Sequence, residues 1–292
     1  KIILVGDHRQ LPHVIDDEVA RRMEAAEVDL DEVEWLKKSL FQYMFAERLK
    51  TLEESDGIQR RVTLDVQFRM HPVIGSFVSR NFYERFDPDE QFTSGLDPSN
   101  FQHHLSGTNG EHALWMDVPI SVGVAERPDT SWKRSAEVNA IVAQLMKWLR
   151  SPEGAGLTFG VISFYQSQAE EIRKALSSKL GTEEDLLHRV RIGTVDSFQG
   201  MEFDVVFLSV VRTTPSNFIV DASTRESQAR RTFGHLGLYN RLNVAMSRQK
   251  KLLVVVGEKT LFETDLAREF VPGLADFLNI AEIIASPIGE SA

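Results

Sequence analysis

The chain has 292 residues, 42% hydrophobic and 26% charged, with no cysteine and a net charge of −10. This is enough apolar material for one large domain or two small ones, and it excludes disulfides and cysteine-ligated zinc or iron–sulfur centres. No apolar run approaches the roughly 20 residues that cross a bilayer, and the opening KIILVGD lacks the pattern of a secretory signal. The expectation is an intracellular protein with no membrane partner.

Residues 2–5 (IILV) read as a short strand buried on both faces. A core strand at the very start suggests that the chain is the C-terminal piece of a longer protein. Over 31–50 the apolar positions Val33, Leu36, Leu40, Phe41, Met44, Phe45 and Leu49 mark an amphipathic helix. A second short strand is expected at 62–66. Pro72 then opens a helix, a position where its missing N–H costs nothing, with Ile74, Phe77, Val78 and Phe82 as the buried stripe. Residues 86–112 are rich in turn formers and read as a long connection. Beyond them, strands are expected at 113–118, 159–164, 190–195, 204–211 and 252–257. Helices are expected at 135–149, 166–180, 237–248 and 260–270, and an exposed polar loop at 213–236. Such alternation predicts an α/β fold with a parallel sheet flanked by helices.

Four segments carry the polar chemistry, and each is expected at the end of an apolar run, where parallel α/β proteins hold ligands. In VGDHRQLP (5–12), Asp7 and Gln10 follow the first strand; a glutamine there can meet a phosphate or a water, and an Asx turn at Asp7 is the plain alternative. LDVQFRMHP (64–72) offers Gln67, Phe68 and Arg69: an arginine can clamp a phosphate and a phenyl ring can stack on a base. In GTVDSFQGMEFD (193–204), Thr194 and Ser197 can bond a nucleic-acid phosphate, Gly200 permits close backbone approach, and Glu202 can accept from a ribose hydroxyl. LNVAMSRQK (242–250) is expected on a helix, with Arg241 and Arg248 on nearly one face and Lys250 and Lys251 favoured by its C-terminal dipole. Arg248 is the candidate to stabilise a transferring phosphate. His103, His104 and His112, near Glu111, lie in an irregular loop without ligand spacing, so no metal is expected. The net charge weighs mildly against nucleic acid, whose phosphates need Lys and Arg. The acidic residues concentrate in 16–34 and 183–185, leaving room for a basic groove elsewhere.

Taken in order, these segments resemble motifs III to VI of superfamily 1 helicases, in the group that includes the nonsense-mediated-decay helicase and senataxin. SLFQYM (39–44) and ISFYQSQ (162–168) are similar to two further segments of that group, so the resemblance runs from residue 2 to about 257. His13, Phe68, Phe164 and Ser247 stand where the family patterns have Pro, Tyr, Pro and Thr. The resemblance implies RecA-like, P-loop NTPase-type domains: residues 1–90 as the C-terminal part of the first with its linker, and 91–292 as the second. It implies Gln10, Arg69 and Arg248 as catalytic residues. Asp7, Gln67, Phe68, Gly200 and Glu202 would bind ATP, and Ser163, Tyr165, Thr194 and Ser197 would meet single-stranded DNA or RNA. No G-x-x-x-x-G-K-[ST] phosphate loop occurs in the 292 residues. ATP and Mg²⁺ are therefore expected in the full-length protein, together with an upstream first domain, and not in this chain alone, which is expected to self-associate. The alternative is a nucleic-acid-binding or adaptor module whose ATPase has decayed.

Overall fold

The computed structural model describes residues 2–11, 38–215 and 224–287. The chain divides into two compact units, Lys1–Leu64 and Asp65–Ala292. Residues 13, 16–34 and 31–37, for which a motif position, an acidic stretch and the start of a helix were expected, lie outside the described residues.

In the first unit, Leu40–Gln42, Tyr43–Arg48 and Leu49–Asp56 run on as one helix, α1, whose middle portion has the wider π turn. Ser39 caps it by accepting from the Gln42 N–H at 3.0 Å. Gly57 ends it in the left-handed conformation at φ 70°. Phe41 and Phe45 stack along one side, with ring centroids 5.5 Å apart. The strand expected at 2–5 is not formed. Ile2, Ile3, Leu4 and Val5 are all exposed, and no described residue of this unit pairs with them. A strand exists only through a partner's ladder, so apolar character alone could not make one here.

The second unit is built on a six-stranded sheet. The strand expected at 62–66 shrinks to β1 (Val66–Gln67), which pairs in parallel with β2 (Thr93–Ser94) to form a separate two-stranded sheet. Between them lies α2 (Pro72–Ser79), capped by His71 and opened by Pro72 as expected. Ile74, Phe77, Val78 and Phe82 are buried. The main strands are β3 (Ala113–Asp117), β4 (Phe159–Ser163), β5 (Val190–Thr194), β6 (Phe203–Ser209), β7 (Gln249–Gly257) and β8 (Glu282–Ala285). Their order is β5-β4-β6-β7-β3-β8, and every neighbouring pair is parallel.

Helices cover both faces, as continuous apolar strands require. On one face α3 (Ser135–Leu149) and α4 (Gln166–Leu180) bury Ile141, Leu145, Trp148, Ile172 and Leu176 against Leu114, Val161, Phe207 and Val254. Trp115 points the other way, to Phe262 at 5.3 Å between ring centroids. That opposite layer includes α6 (Arg225–Phe233), α7 (Tyr239–Ala245), α8 (Lys259–Phe262), α9 (Asp265–Phe270) and α10 (Pro272–Phe277); a short α5 (Glu184–Leu187) precedes β5. Four expectations change, the first being that the helix expected at 260–270 is broken at Glu263 and Thr264 into α8 and α9. The supposed loop 213–236 contains α6, which buries Ala229, Thr232 and Phe233; residues 216–223 of it are not described. The helix expected at 237–248 ends at Ala245. α10 and β8 were not expected.

The segment 65–90 belongs by its contacts to the second unit. Phe77 meets Phe277 of α10 at 5.4 Å between centroids, and a Cβ on Gly273 would lie 2.8 Å from Phe82. Compactness thus changes at residue 65, earlier than the expected boundary near 90.

Candidate nucleotide and nucleic-acid sites

Gln67, expected to meet ATP, is fully occupied in holding its own turn. Its amide nitrogen donates to the Met70 carbonyl at 2.8 Å and to Ser94 Oγ at 2.6 Å. Its oxygen accepts from the N–H groups of Arg69 and Met70 at 2.8 and 2.7 Å. All four valences of the amide are satisfied, so Gln67 is a positioning residue and offers nothing to a nucleotide in this conformation. What the clamp presents is Phe68 and Arg69. Phe68 is 63% exposed and lies over Gly95, where a Cβ would come within 2.3 Å of the ring. The absence of a side chain at 95 is what lets the ring lie there.

Arg69 joins segments far apart in sequence. Its Nε donates to Glu202 Oε2 at 3.1 Å and its Nη1 to the Ser247 carbonyl at 3.2 Å. Lys250 Nζ pairs with the other oxygen, Glu202 Oε1, at 2.8 Å. These two cations, Lys250 foremost, hold the Glu202 carboxyl below the usual carboxylate range. Arg248 is 1% exposed; it donates from Nε to the Val244 carbonyl at 3.2 Å and from Nη2 to Ser247 Oγ at 3.0 Å. Because α7 stops at Ala245, Arg241 and Arg248 do not share a helix face; Arg241 instead pairs with Asp196 at 3.1 Å. Lys250 and Lys251 lie in β7, not at a helix end. The dipole reading of Lys250 missed that it shares Glu202 with Arg69.

The turn carrying Arg69 is pinned from behind by three imidazoles. His71 donates its backbone N–H to the Lys250 carbonyl at 2.9 Å and stacks on His112 with centroids 3.6 Å apart. His103 meets His112 edge-on at 5.1 Å. His112 Nδ1 bonds the Lys251 carbonyl at 2.7 Å and His103 Nε2 the Glu111 carbonyl at 2.9 Å. Burial, reinforced by the neighbouring rings, pushes His71 and His103 down to about 4. Among the described residues no group of three or more metal-binding side chains is placed to hold an ion.

The residues expected to meet nucleic acid gather elsewhere. Ser163 and Thr194 face each other across the carboxyl ends of β4 and β5, whereas Glu202 and Arg248 precede β6 and β7 and so lie at the amino ends. The 194–202 segment runs from one end of the sheet to the other, and not all four segments sit at carboxyl ends. Ser163 is buried, its Oγ accepting from the Tyr165 N–H at 3.2 Å. Ser197 donates to the Thr194 carbonyl at 2.7 Å, a local turn bond. Thr194 and Ser197 line one end of a groove of about 500 Å³, with Gln166, Arg173 and Arg191. Tyr165 is only 5% exposed, so the base stacking expected of its ring is closed in this structure. Gly200 adopts φ +78°, and nothing lies within 4 Å of where its Cβ would be. Its backbone conformation, not close approach, is what calls for glycine.

In the first unit, Asp7, expected to bind ATP, closes the Asx-type turn that was the plain alternative. Its carboxylate accepts from the Arg9 N–H at 2.9 Å and from Gln10 Nε2 at 2.7 Å.

The structure is thus a parallel α/β domain covered on both faces, with an Arg–Glu–Lys cluster at one end of the sheet and hydroxyls beside a groove at the other. The chain belongs to the AAA domain family, whose sequence profile matches residues 36–260. It is 26% identical to Helicase sen1 of Schizosaccharomyces pombe over 91% of this chain and 13% of that protein. It is 31% identical to Regulator of nonsense transcripts 1 of Caenorhabditis elegans over 93% of this chain and 22% of that protein. With an uncharacterized ATP-dependent helicase of Methanocaldococcus jannaschii it shares 26% identity over 91% of this chain and 33% of that protein. The chain thus spans a third or less of the length of these relatives. These relatives are helicases of the kind that the motifs resemble. Among the described residues no helix is long and apolar enough to cross a membrane.

Proposed function

We propose that this chain is the C-terminal motor half of an ATP-dependent DNA or RNA helicase or translocase that works inside the cell. The observation that carries the reading is the meeting of Arg69, Glu202, Lys250 and Ser247. It joins three of the four motif segments, up to 178 residues apart, at one end of the sheet beside Arg248. In this reading Glu202 is held by two cations that ATP displaces or shares. The ribose takes an oxygen of Glu202, and Arg69 turns its guanidinium to the γ-phosphate. Phe68, exposed next to Arg69, stacks on the base. Arg248 exchanges the Val244 carbonyl and Ser247 hydroxyl for phosphate oxygens, as an arginine finger does. The roles of Asp7, Gln10 and Gly200 rest on the resemblance alone; Gln10 would sense the terminal phosphate. ATP and Mg²⁺ would be held mainly by a phosphate loop and an Asp-Glu pair in a first RecA-like domain, of which residues 1–64 would be the tail, with 65–90 as the linker that packs within the second unit. Single-stranded nucleic acid would cross the carboxyl-end groove at Thr194 and Ser197.

The experiment is nucleic-acid-stimulated ATP hydrolysis by the full-length protein, with and without Arg248→Ala. Turnover that depends on single-stranded nucleic acid and collapses in the variant is the expected result. Absence of turnover together with retained nucleic-acid binding would select a decayed adaptor module instead.

A further inference from the structure

Past the carboxyl end of β6 the chain does something that packing does not require. Val211 adopts φ +66°, a left-handed conformation that is costly for a β-branched residue and persists only when its surroundings enforce it. Here they do. The Val211 N–H is taken by Glu137 Oε2 at 3.0 Å, and the same oxygen accepts from Ser209 Oγ at 2.6 Å. Three residues on, Thr214 is gripped by Glu258 through its N–H at 2.8 Å and its hydroxyl at 2.6 Å. Two buried carboxylates therefore fix a strained turn, and what the turn places is Arg212.

Arg212 is 7% exposed, and no carboxylate pairs with it among the described residues. Its Nε donates to the Thr232 carbonyl at 2.7 Å and its Nη2 to the Arg231 carbonyl, the last carbonyls of α6. Its cation lies 4.1 Å from the centre of the Trp132 ring. Nη1 points toward the remaining side. A methyl built on Gly234 would lie 3.7 Å from it and 2.9 Å from the Tyr165 hydroxyl. That hydroxyl is buried, with Arg212 and the backbone of His235 as its neighbouring donors and no acceptor of good geometry, and the Thr232 hydroxyl is buried without a partner as well. The groups facing them add more positive charge. Arg127 acts on Tyr165, Arg212 and His235 alike, and Asp196, the one acid that acts on His235, is paired to Arg241. A buried guanidinium without a counter-ion is expensive to keep, and orphaned buried hydroxyls call for a missing partner. The Tyr165 hydroxyl oxygen can take one N–H of Arg212 and the His235 N–H, but its own proton and the remaining N–H groups of the guanidinium still face no carboxylate or carbonyl among the described residues.

The site lies at the carboxyl ends of β4 and β6. From β4 the chain passes out to β5 on one side and returns to β6 on the other, and such a reversal is where open parallel sheets bind ligands. Trp132, half-exposed, supplies a ring beside the cation.

We infer that Arg212 and Trp132 form a nucleic-acid subsite, in which one backbone phosphate is met by Arg212 Nη1 and the Tyr165 hydroxyl and the adjoining base stacks on Trp132. This rests on the nucleic-acid part of the proposed function. It replaces the ring of Tyr165 by that of Trp132 as the stacking surface and gives Tyr165 a hydrogen-bonding role.

The test is fluorescence anisotropy with labelled 15-nucleotide dT and U single strands across a salt series, with the protein and its Arg212→Gln, Trp132→Leu and Tyr165→Phe variants. Arg212→Gln should flatten the plot of log affinity against log salt by about 0.7, the contribution of one phosphate contact on a single strand. Trp132→Leu should weaken binding about 5- to 100-fold with the slope unchanged, as loss of one stacking ring does. Tyr165→Phe should weaken binding severalfold with little change in melting temperature, because the hydroxyl proton has no acceptor to lose and Arg212 keeps its two carbonyl acceptors. That variant guards against the chance that Arg212→Gln unfolds the end of α6. Unchanged affinity and slope in all three variants, with the parent protein binding normally, overturn the inference alone and leave a trapped water as the partner of the hydroxyls. Failure of the parent protein to bind either strand overturns the nucleic-acid reading itself. Variants that weaken binding of an ATP analogue but not of the strands also overturn the inference, since the anion would then be a nucleotide's.

Discussion

Acidification should loosen this fold from the candidate nucleotide site outward, and the imidazole cluster sets the size of the effect. His71 and His103 are buried, and each is held down to about 4 from an ordinary value of 6.5. Because their folded values are depressed, the unfolded chain takes up protons first. The stability they contribute is complete above pH 6.5 and is lost as the pH falls toward 4. At pH 5 the linkage relation gives a loss of about 2 kcal/mol per ring. Since the stacked rings share one field, about 2–4 kcal/mol is expected for the pair, a large share of the 5–15 kcal/mol typical of a domain. Glu137 works against this, because burial raises its carboxyl and protonation there favours the folded state. Denaturant titrations at pH 7.5, 6.0 and 5.0 should show the midpoint falling. His103→Gln, which keeps a donor for the Glu111 carbonyl but does not titrate, should show about half the fall. A midpoint unchanged between pH 7.5 and 5.0, or an equal fall in the variant, would refute the reasoning.

In the full-length protein Arg248→Ala should reduce ATP turnover by ~10³–10⁵ with nucleic-acid binding largely kept, and Lys should rescue little because the planar fork is gone; near-normal turnover would remove Arg248 from the catalytic residues. Gln67→Leu should lower stability by about 1–3 kcal/mol, measured by denaturant unfolding, since the N–H groups of Arg69 and Met70 lose their acceptor. A loss of nucleotide affinity without any loss of stability would instead return Gln67 to the ligand. This chain by itself should show no ATP turnover above background, because no phosphate loop is present to cradle the β- and γ-phosphates; turnover stimulated by nucleic acid would contradict that. It should also self-associate in light scattering, because Ile2, Ile3, Val5 and Leu40 are exposed, and a monodisperse monomer would count against it.

The sequence disclosed most where periodicity and burial agree. The helices at 135–149 and 166–180 form at the expected residues, because each carries an apolar stripe that the sheet must cover. Five of the strands, too, were visible as apolar runs. The runs at 2–5 and 62–66 show the limit of that signal: composition says a strand is possible, and only a partner's register makes one. Likewise α6 hid in a polar stretch because just three of its nine residues are buried, too few to mark a period. The sites divide in the same way. Arg69, Glu202 and Arg248 were legible as motif residues, but that Lys250 completes the ion pairs depends on β7 placing it next to Glu202. Gln67 read as a ligand because its residue type suits one; its four internal hydrogen bonds come from a turn that the sequence does not display. Arg212 and Trp132 stand 80 residues apart with no motif around either. The stacked pair exists because a left-handed Val211, held by a carboxylate 74 residues earlier, turns the chain back over the sheet. Function that depends on strain of this kind is visible only once the backbone is known, since no residue type announces it: the valine at 211 is the residue least suited to the conformation it holds.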